Sequence, residues 1–223
     1  MAEAQFPTTF ADEHYQLGLG DVAPRHSMSL SGLGKLGYVV EFGMMRQDTP
    51  AITEIAGQTG TQEYCLRDLE ERWPDEAAAE KQLAKDGGRA PFLLRKVADN
   101  AIHGYGWTGK AGADERAITK YDHTFTVRLH EASRGQGLAV PFTIVIVAAT
   151  MQLVRARRIG LETWASNAAA VNTYAGENGA GAQFVKAVRS TRPTLDVSKP
   201  FDEKRGKHIT EDTRLYMRFP WSA

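Results

Sequence analysis

The chain has 223 residues, with 27 acidic and 27 basic side chains and a formal net charge of zero. At 42% hydrophobic and 24% charged it has the make-up of a folded domain, which excludes wholesale disorder and a histone-like DNA binder held by counterion release. A single cysteine, Cys65, excludes an internal disulfide framework and points to a reducing, cytoplasmic setting.

Residues 1–34 read as an N-terminal extension, flexible or packed on a partner, because Gly and Ser are frequent near 18–34 and no apolar period persists. Residues 35–223 read as one domain. Residues 37–43 (GYVVEFG) predict a short strand between glycines. Thr49-Pro50 opens a helix whose apolar face is Ile52, Ile55 and Ala56. A second helix is expected over 62–72, with Cys65, Leu66 and Leu69 inward, and a third over 75–86, capped by Asp75 and stopped by Gly87-Gly88. Residues 91–97 and 101–107 predict two strands joined by a turn at Asp99-Asn100. Residues 108–120 read as a polar loop. Over 123–129 (HTFTVRL) the alternation is strict, with His123, Phe125, Val127 and Leu129 on one face, which predicts a half-buried strand.

Leu138 to Val154 (LAVPFTIVIVAATMQLV) is apolar almost throughout. Its 17 residues exceed an ordinary buried strand and sit at the short end for a membrane span, so a buried helix is expected, with Pro141 in its first turn. A strand over 158–164 and a helix capped at Ser166-Asn167 follow, the helix ending at a left-handed residue near Asn178-Gly179. Residues 183–189 and 213–219 predict two last strands, with a long polar loop, 190–212, between them. This order is that of a mixed α/β layer fold. No membrane contact is expected. No metal site is expected with one cysteine, and no nucleic-acid platform, since Trp73, Trp107, Trp164 and Trp221 are scattered.

Charge is uneven along the chain. Residues 151–223 carry seven acids and 12 bases, so this third could face an anionic ligand. The cluster Lys204-Arg205-Gly206-Lys207-His208 within it reads as solvated loop, with contact to a phosphate or an anionic substrate as the alternative.

The segment with chemistry in it is 123–179. Between the strand ending at Leu129 and the helix starting near Leu138, the amides of Gly135, Gln136, Gly137, Leu138 and Ala139 would stand at a helix N-terminus. Unpaired amides and the helix dipole together favour phosphate there, and glycines let the backbone come close to it. There is no Lys-Ser/Thr pair as in a P-loop, and no third glycine as in a dinucleotide fingerprint.

Arg134-Gly135-Gln136-Gly137-Leu138-Ala139 resembles the Arg/Gln-x-x-Gly-x-Gly/Ala motif of the GNAT acyltransferase superfamily. Downstream, Asn167-Ala168-Ala169-Ala170-Val171-Asn172-Thr173-Tyr174 is similar to that family's Asn-x-x-Ala-x-x-x-Tyr segment, directly after a strand. The resemblance implies a central mixed, mostly antiparallel sheet flanked by helices and splayed between the fourth and fifth strands, 123–129 and 158–164. It implies acetyl-CoA as co-substrate and an amine on a small molecule or peptide as acceptor. The amides of 134–139 would hold the pyrophosphate and Leu129 would pair with the pantetheine arm. Asn167 would contact the same arm, and Tyr174 would protonate the leaving thiolate. For the base that takes the amine proton, His123 ranks first and Glu131 next, with Glu41, His103 and Tyr105 as further candidates. The Gly-Phe that usually follows the Tyr is replaced by Asn178-Gly179-Ala180. That departure leaves open a non-catalytic acyl-CoA-binding module of the same fold. A different acyl-CoA donor is also left open, because the amides see only the pyrophosphate. A homodimer is compatible with such a fold.

Overall fold

A computed structural model describes residues 26–28, 31–44, 46–75, 77–79, 81, 89–153 and 156–220. The strands are β1 (His26–Met28), β2 (Tyr38–Phe42), β3 (Ala90–Lys96), β4 (Ile102–Lys110), β5 (His123–Leu129), β6 (Ile159–Trp164), β7 (Gln183–Pro193), β8 (Phe201–Asp202) and β9 (Lys207–Arg218). The helices are α1 (Ser31–Lys35), α2 (Thr49–Gly57), α3 (Thr59–Arg67), α4 (Ala113–Thr119), α5 (Ala139–Leu153) and α6 (Ala168–Ala175). Eight strands run in the order β1-β2-β3-β4-β5-β6-β9-β7, and β8 pairs β9 off that path. Every pairing is antiparallel except β5 with β6. The sheet is therefore mixed and mostly antiparallel, as the motifs imply.

Strand β2 shows why the sheet can be covered on both faces. Tyr38, Val40 and Phe42 point into a core shared with α5, while Glu41 points the other way and pairs with Arg95 at 2.8 Å. Helix α5 fills the first face: Leu138, Phe142, Val145, Ile146, Val147 and Ala149 are buried against Phe92, Leu94 and Phe125. Its TIVIV run has strand propensity, yet it is helical and packs on β4, β5 and α6. A Cβ on Gly106 of β4 would lie 2.4 Å from Ile146 Cδ1, so the glycine lets α5 sit close to the sheet. On the second face, Ile52, Ile55, Ala56 and Trp73 pack on Leu93, Tyr105 and Trp107. Strand β5 is consequently covered on both sides, with Thr124 and Thr126 also buried, and the half-exposed strand expected from its alternation is corrected.

Other expectations change too. Residues 108–120 are not all loop: α4 forms within them, with Gly112 N donating to Glu115 Oε2 at 2.7 Å. The interval 190–212 is not all loop, because β7 and β9 continue pairing into it, in one register from Lys186↔Tyr216 to Pro193↔Ile209. Helix α6 stops at Ala175, earlier than expected, and neither Asn178 nor Gly179 is left-handed. The reason is that Ala180 N and Ala182 N fold back onto the carbonyls of Thr173 and Tyr174, satisfying the last turn. Residues 26–28 of the segment read as an extension add the edge strand β1, and Leu33 of α1 is buried in the α5 core. Of the helix expected over 75–86, Asp75 accepts from Ala78 N at 2.8 Å and 77–79 and 81 are helical; residues 76, 80 and 82–88 lie outside the described residues. Among the described residues no helix is long and apolar enough to cross a membrane.

Candidate functional site

The parallel pair β5·β6 keeps register only at His123↔Ile159 and Thr124↔Gly160. Beyond it β6 continues along β9 and β5 along β4, so the two strands diverge toward Leu129 and Trp164. The splay expected between the fourth and fifth expected strands is this opening. An opening of this kind suits an extended ligand laid in the manner of an added strand.

The turn after β5 sits at the open end. Gly135 and Gly137 have φ of 75° and 74°, values that L side chains adopt at a cost, and a Cβ on either would meet nothing within 4 Å. The strain, not the space, selects glycine. Left-handed glycines alternating with an ordinary residue are a backbone pattern suited to anion binding, and here the pattern precedes the N-terminus of the 15-residue α5. Residues 134–137 are exposed and Leu138 is buried, so the turn is anchored by its last residue and open at its first four. The Gln136 side chain braces it, with Nε2 donating to Ala132 O at 2.7 Å. The Arg134 guanidinium is folded back: Nε donates to Leu129 O at 3.3 Å and Nη2 to Thr61 Oγ1 at 3.1 Å.

Tyr174 is carried by α6 and is buried, 7% exposed, with its ring at 89° to Phe125 and 5.8 Å away. Burial pushes its phenol up to about 12. The charge of Arg128 on β5 reaches it and acts in the opposite sense. It is therefore a neutral proton donor across the physiological range. Asn167 is the N-cap of α6, its Oδ1 accepting from Ala170 N at 3.1 Å. Glu131 is exposed on the short turn Glu131–Ser133 at the open end, its amide donating to Gln58 Oε1 at 2.9 Å. His123 lies at the other end of β5, where the strands are still paired, with Nδ1 3.4 Å from Asp122 Oδ1. Six residues of strand at ~3.3 Å each put it about 20 Å from Leu129. The structure thus brings together Leu129, Glu131 and the 134–139 turn, and it sets His123 apart from them.

Two groups near the open end are anticipated only in part: His103 and Tyr105 stand among the further candidates for the base, whereas His130 and Asp68 themselves carry no signal in the sequence. His103 Nδ1 is 2.6 Å from the buried Ser133 Oγ, and burial lowers the pKa of this imidazole. His130 follows Leu129; its Nδ1 accepts from Ala132 N at 3.2 Å and its Nε2 lies 3.3 Å from Glu54 Oε1. His103, His130, Ala132 and Glu54 line a cleft of roughly 530 Å³ with Asp48, Ala51 and the β3–β4 turn. The second group is a buried ion cluster. Asp68 is fully buried, accepting from Arg72 Nη1 at 2.5 Å, Arg128 Nε at 2.8 Å and Tyr105 Oη at 3.1 Å. Burial alone would raise the Asp68 carboxyl, but Arg128 and Arg72 outweigh it and hold it below the usual range. Tyr105, raised by burial and by Asp68, is a hydrogen-bond donor here and no base. Glu41 is tied to Arg95, as Asp48 is at 3.1 Å. The only signal for such a cluster was alternation: Arg128 occupies the polar face of an otherwise buried strand. Among the described residues no group of three or more His, Cys, Asp or Glu is arranged to hold a metal.

No protein-family model matches the chain, and no curated protein matches its sequence. Solved structures do. A spermidine N-acetyltransferase SpeG mutant from Vibrio cholerae superposes with a TM-score of 0.57 at 12% identity, over 82% of this chain and 94% of that one. An acetyltransferase of the GNAT family from Bacillus anthracis does so with 0.54 at 12%, over 81% and 93%. AAC(6')-Ib, solved with ribostamycin and coenzyme A, gives 0.54 at 17%, over 81% and 92%. The chain therefore has the fold of GNAT acetyltransferases.

Proposed function

We propose that the protein is an acyl-CoA-dependent N-acetyltransferase that moves an acetyl group from acetyl-CoA to a primary amine. The observation that carries this reading is the juxtaposition of the Gly135/Gly137 amide turn with a sheet that opens directly beneath it. One element suits a pyrophosphate and the other an extended arm, and few ligands combine the two. Leu129, Gly135, Gln136, Gly137, Leu138 and Ala139 would engage the donor through their backbone, and Asn167 through its side chain. Arg134 acts by holding the turn against Thr61 as much as by charge.

In the reaction the amine nitrogen attacks the thioester carbonyl carbon. The C–N bond forms, the C–S bond breaks, and the thiolate takes a proton from Tyr174, whose raised pKa keeps that proton in place until it is needed. The amine proton goes to a group at the open end, where Glu131 and His130 stand. His123, first choice from sequence, would need a relay along the length of β5. The similar structures named for spermidine and solved with ribostamycin are consistent with a small-molecule amine acceptor.

Isothermal titration with acetyl-CoA and desulfo-CoA, followed by thiol release across an amine panel, tests the reading. Micromolar or tighter donor binding with amine-dependent release is expected. Binding without release on any amine would favour the non-catalytic module, and no binding to any acyl-CoA would overturn the proposal.

A further inference from the structure

The hairpin β7–β9 ends in an ion cluster that no motif announces. Arg192 is 6% exposed. Its Nε donates to Asp212 Oδ2 at 2.9 Å, its Nη2 pairs with Glu63 Oε1 at 2.9 Å, and its Nη1 donates to Glu63 O at 2.8 Å and Pro193 O at 3.2 Å. The guanidinium also lies 4.8 Å from the ring centroid of Tyr64. Every part of the fork is used, so Arg192 is fixed to α3 on one side and to β9 on the other.

What Asp212 does with its remaining capacity is the informative part. It receives the Ser166 hydroxyl, and its Oδ1 accepts from Thr213 N at 2.7 Å and Ser166 N at 3.4 Å. Tyr64 Oη, from α3, donates to Ser166 O at 3.1 Å. Ser166 is thus held by its amide, its hydroxyl and its carbonyl, although it is itself exposed. Strand β6 has by then ended: Trp164↔Arg214 is its last register pair, and Ala165 N→Thr213 O its last ladder bond, at 2.8 Å. A turn with no further strand partner would ordinarily be loose. This one is pinned, and the next residue is Asn167. Asn167 Oδ1 is committed to capping Ala170, so its Nδ2 protons are what it has left to offer a ligand carbonyl.

We infer that Asp212, held by Arg192, is a positioning residue for donor binding: through Ser166 it sets the direction of Asn167 and the start of α6, and so ties acetyl-CoA affinity to the β7–β9 hairpin and α3. This rests on the acetyltransferase reading for its ligand, though not for its geometry. The arrangement also explains why the hairpin is long and polar where cofactor binding alone asks for no such element.

The test is Asp212→Asn, which keeps shape and removes the charge that fixes Arg192, together with Ser166→Ala, which removes one contact from an exposed residue and leaves the buried cluster intact. The KM for acetyl-CoA is expected to rise about tenfold in Asp212→Asn and about threefold in Ser166→Ala, with kcat and the amine KM within twofold of wild type. Equal shifts in donor and amine KM, or a lowered melting temperature with unchanged donor KM, would show a merely structural cluster and overturn the inference. Amide exchange gives a readout that does not need the ligand. In both variants Ala170 N–H, the amide capped by Asn167, should exchange faster, while Phe142 N–H, bonded to Leu138 O in α5, should not. An unchanged Ala170 rate overturns the inference even if wild type binds no acyl-CoA. A wild type that binds none while Ala170 responds overturns only the acetyltransferase reading.

Discussion

The two sides of the splay are built by different physics. On the side of α5, the site is a contiguous run of backbone: a strand end, two left-handed glycines and the first turn of a buried helix, all within 129–139. On the side of α2 and α3, it is assembled from side chains far apart in the chain. Asp68 meets Arg128 across 60 residues, Arg95 meets Glu41 across 54, and Arg192 reaches Glu63 O across 129. Local backbone geometry presents amides and needs only a few residue types. Distant ion pairs must repay desolvation, and do so only when every oxygen and N–H finds a partner. A fixed ligand group such as pyrophosphate suits the first construction, and a variable partner suits the second.

That contrast can be broken most severely at Asp68. Asp68→Asn leaves Arg72 and Arg128 without their buried counter-charge and should cost about 3–5 kcal/mol in chemical denaturation. The pH dependence has a definite sign. The carboxyl is held below its ordinary value of 3.8, so its contribution is complete above that value and is lost as pH falls through the lower folded value. The variant should lack this part of the acid slope; an unchanged slope would show that the cluster is not a stability element.

Next in size is Tyr174→Phe. General-acid loss typically costs 10² or more, so kcat should fall about 100-fold while acetyl-CoA affinity holds. With the phenol near 12, its proton is retained as pH rises past 10, so the wild-type rate should show no Tyr174-dependent loss below that pH. A kcat within a factor of three of wild type would remove Tyr174 from the chemistry. Gly137→Ala tests the backbone side directly. Its Cβ would meet open space, so the cost is the left-handed conformation alone, about 1–2 kcal/mol, and titration should show donor affinity weaker by roughly tenfold. Smallest is His123→Ala. Its distance from the open end predicts a change in kcat under twofold and an unmoved pH–rate profile, whereas Glu131→Gln or His130→Gln should move that profile. If His123→Ala alone moves it, proton transfer runs along β5 after all.

How much of this was legible in the sequence follows from the same contrast. Arg134 to Ala139 and Asn167 to Tyr174 could be read because a backbone turn and a cap prescribe residue types at fixed spacing. The helix over 139–153 was legible by length, against its propensity. The β7–β9 hairpin was legible over 183–189 and 213–219, but its continuation into 190–212 was not, because that part is held by Arg192 and Asp212 more than by an apolar face, and polar alternation looks like loop. Helix α4 was hidden in a polar stretch, although Asp114 and Glu115 after Gly112 gave it a helical start.

By itself the sequence determined the layer order, the buried α5 and the amide turn, since these depend on neighbours within a few residues. Tertiary structure alone decided that β5 is covered on both faces, that His123 lies away from the opening while His130 lies at it, and that Asp68 and Asp212 sit at the centres of ion clusters. Those facts depend on which distant charges meet in a space without water, where an unpaired charge is expensive, and no local pattern encodes that.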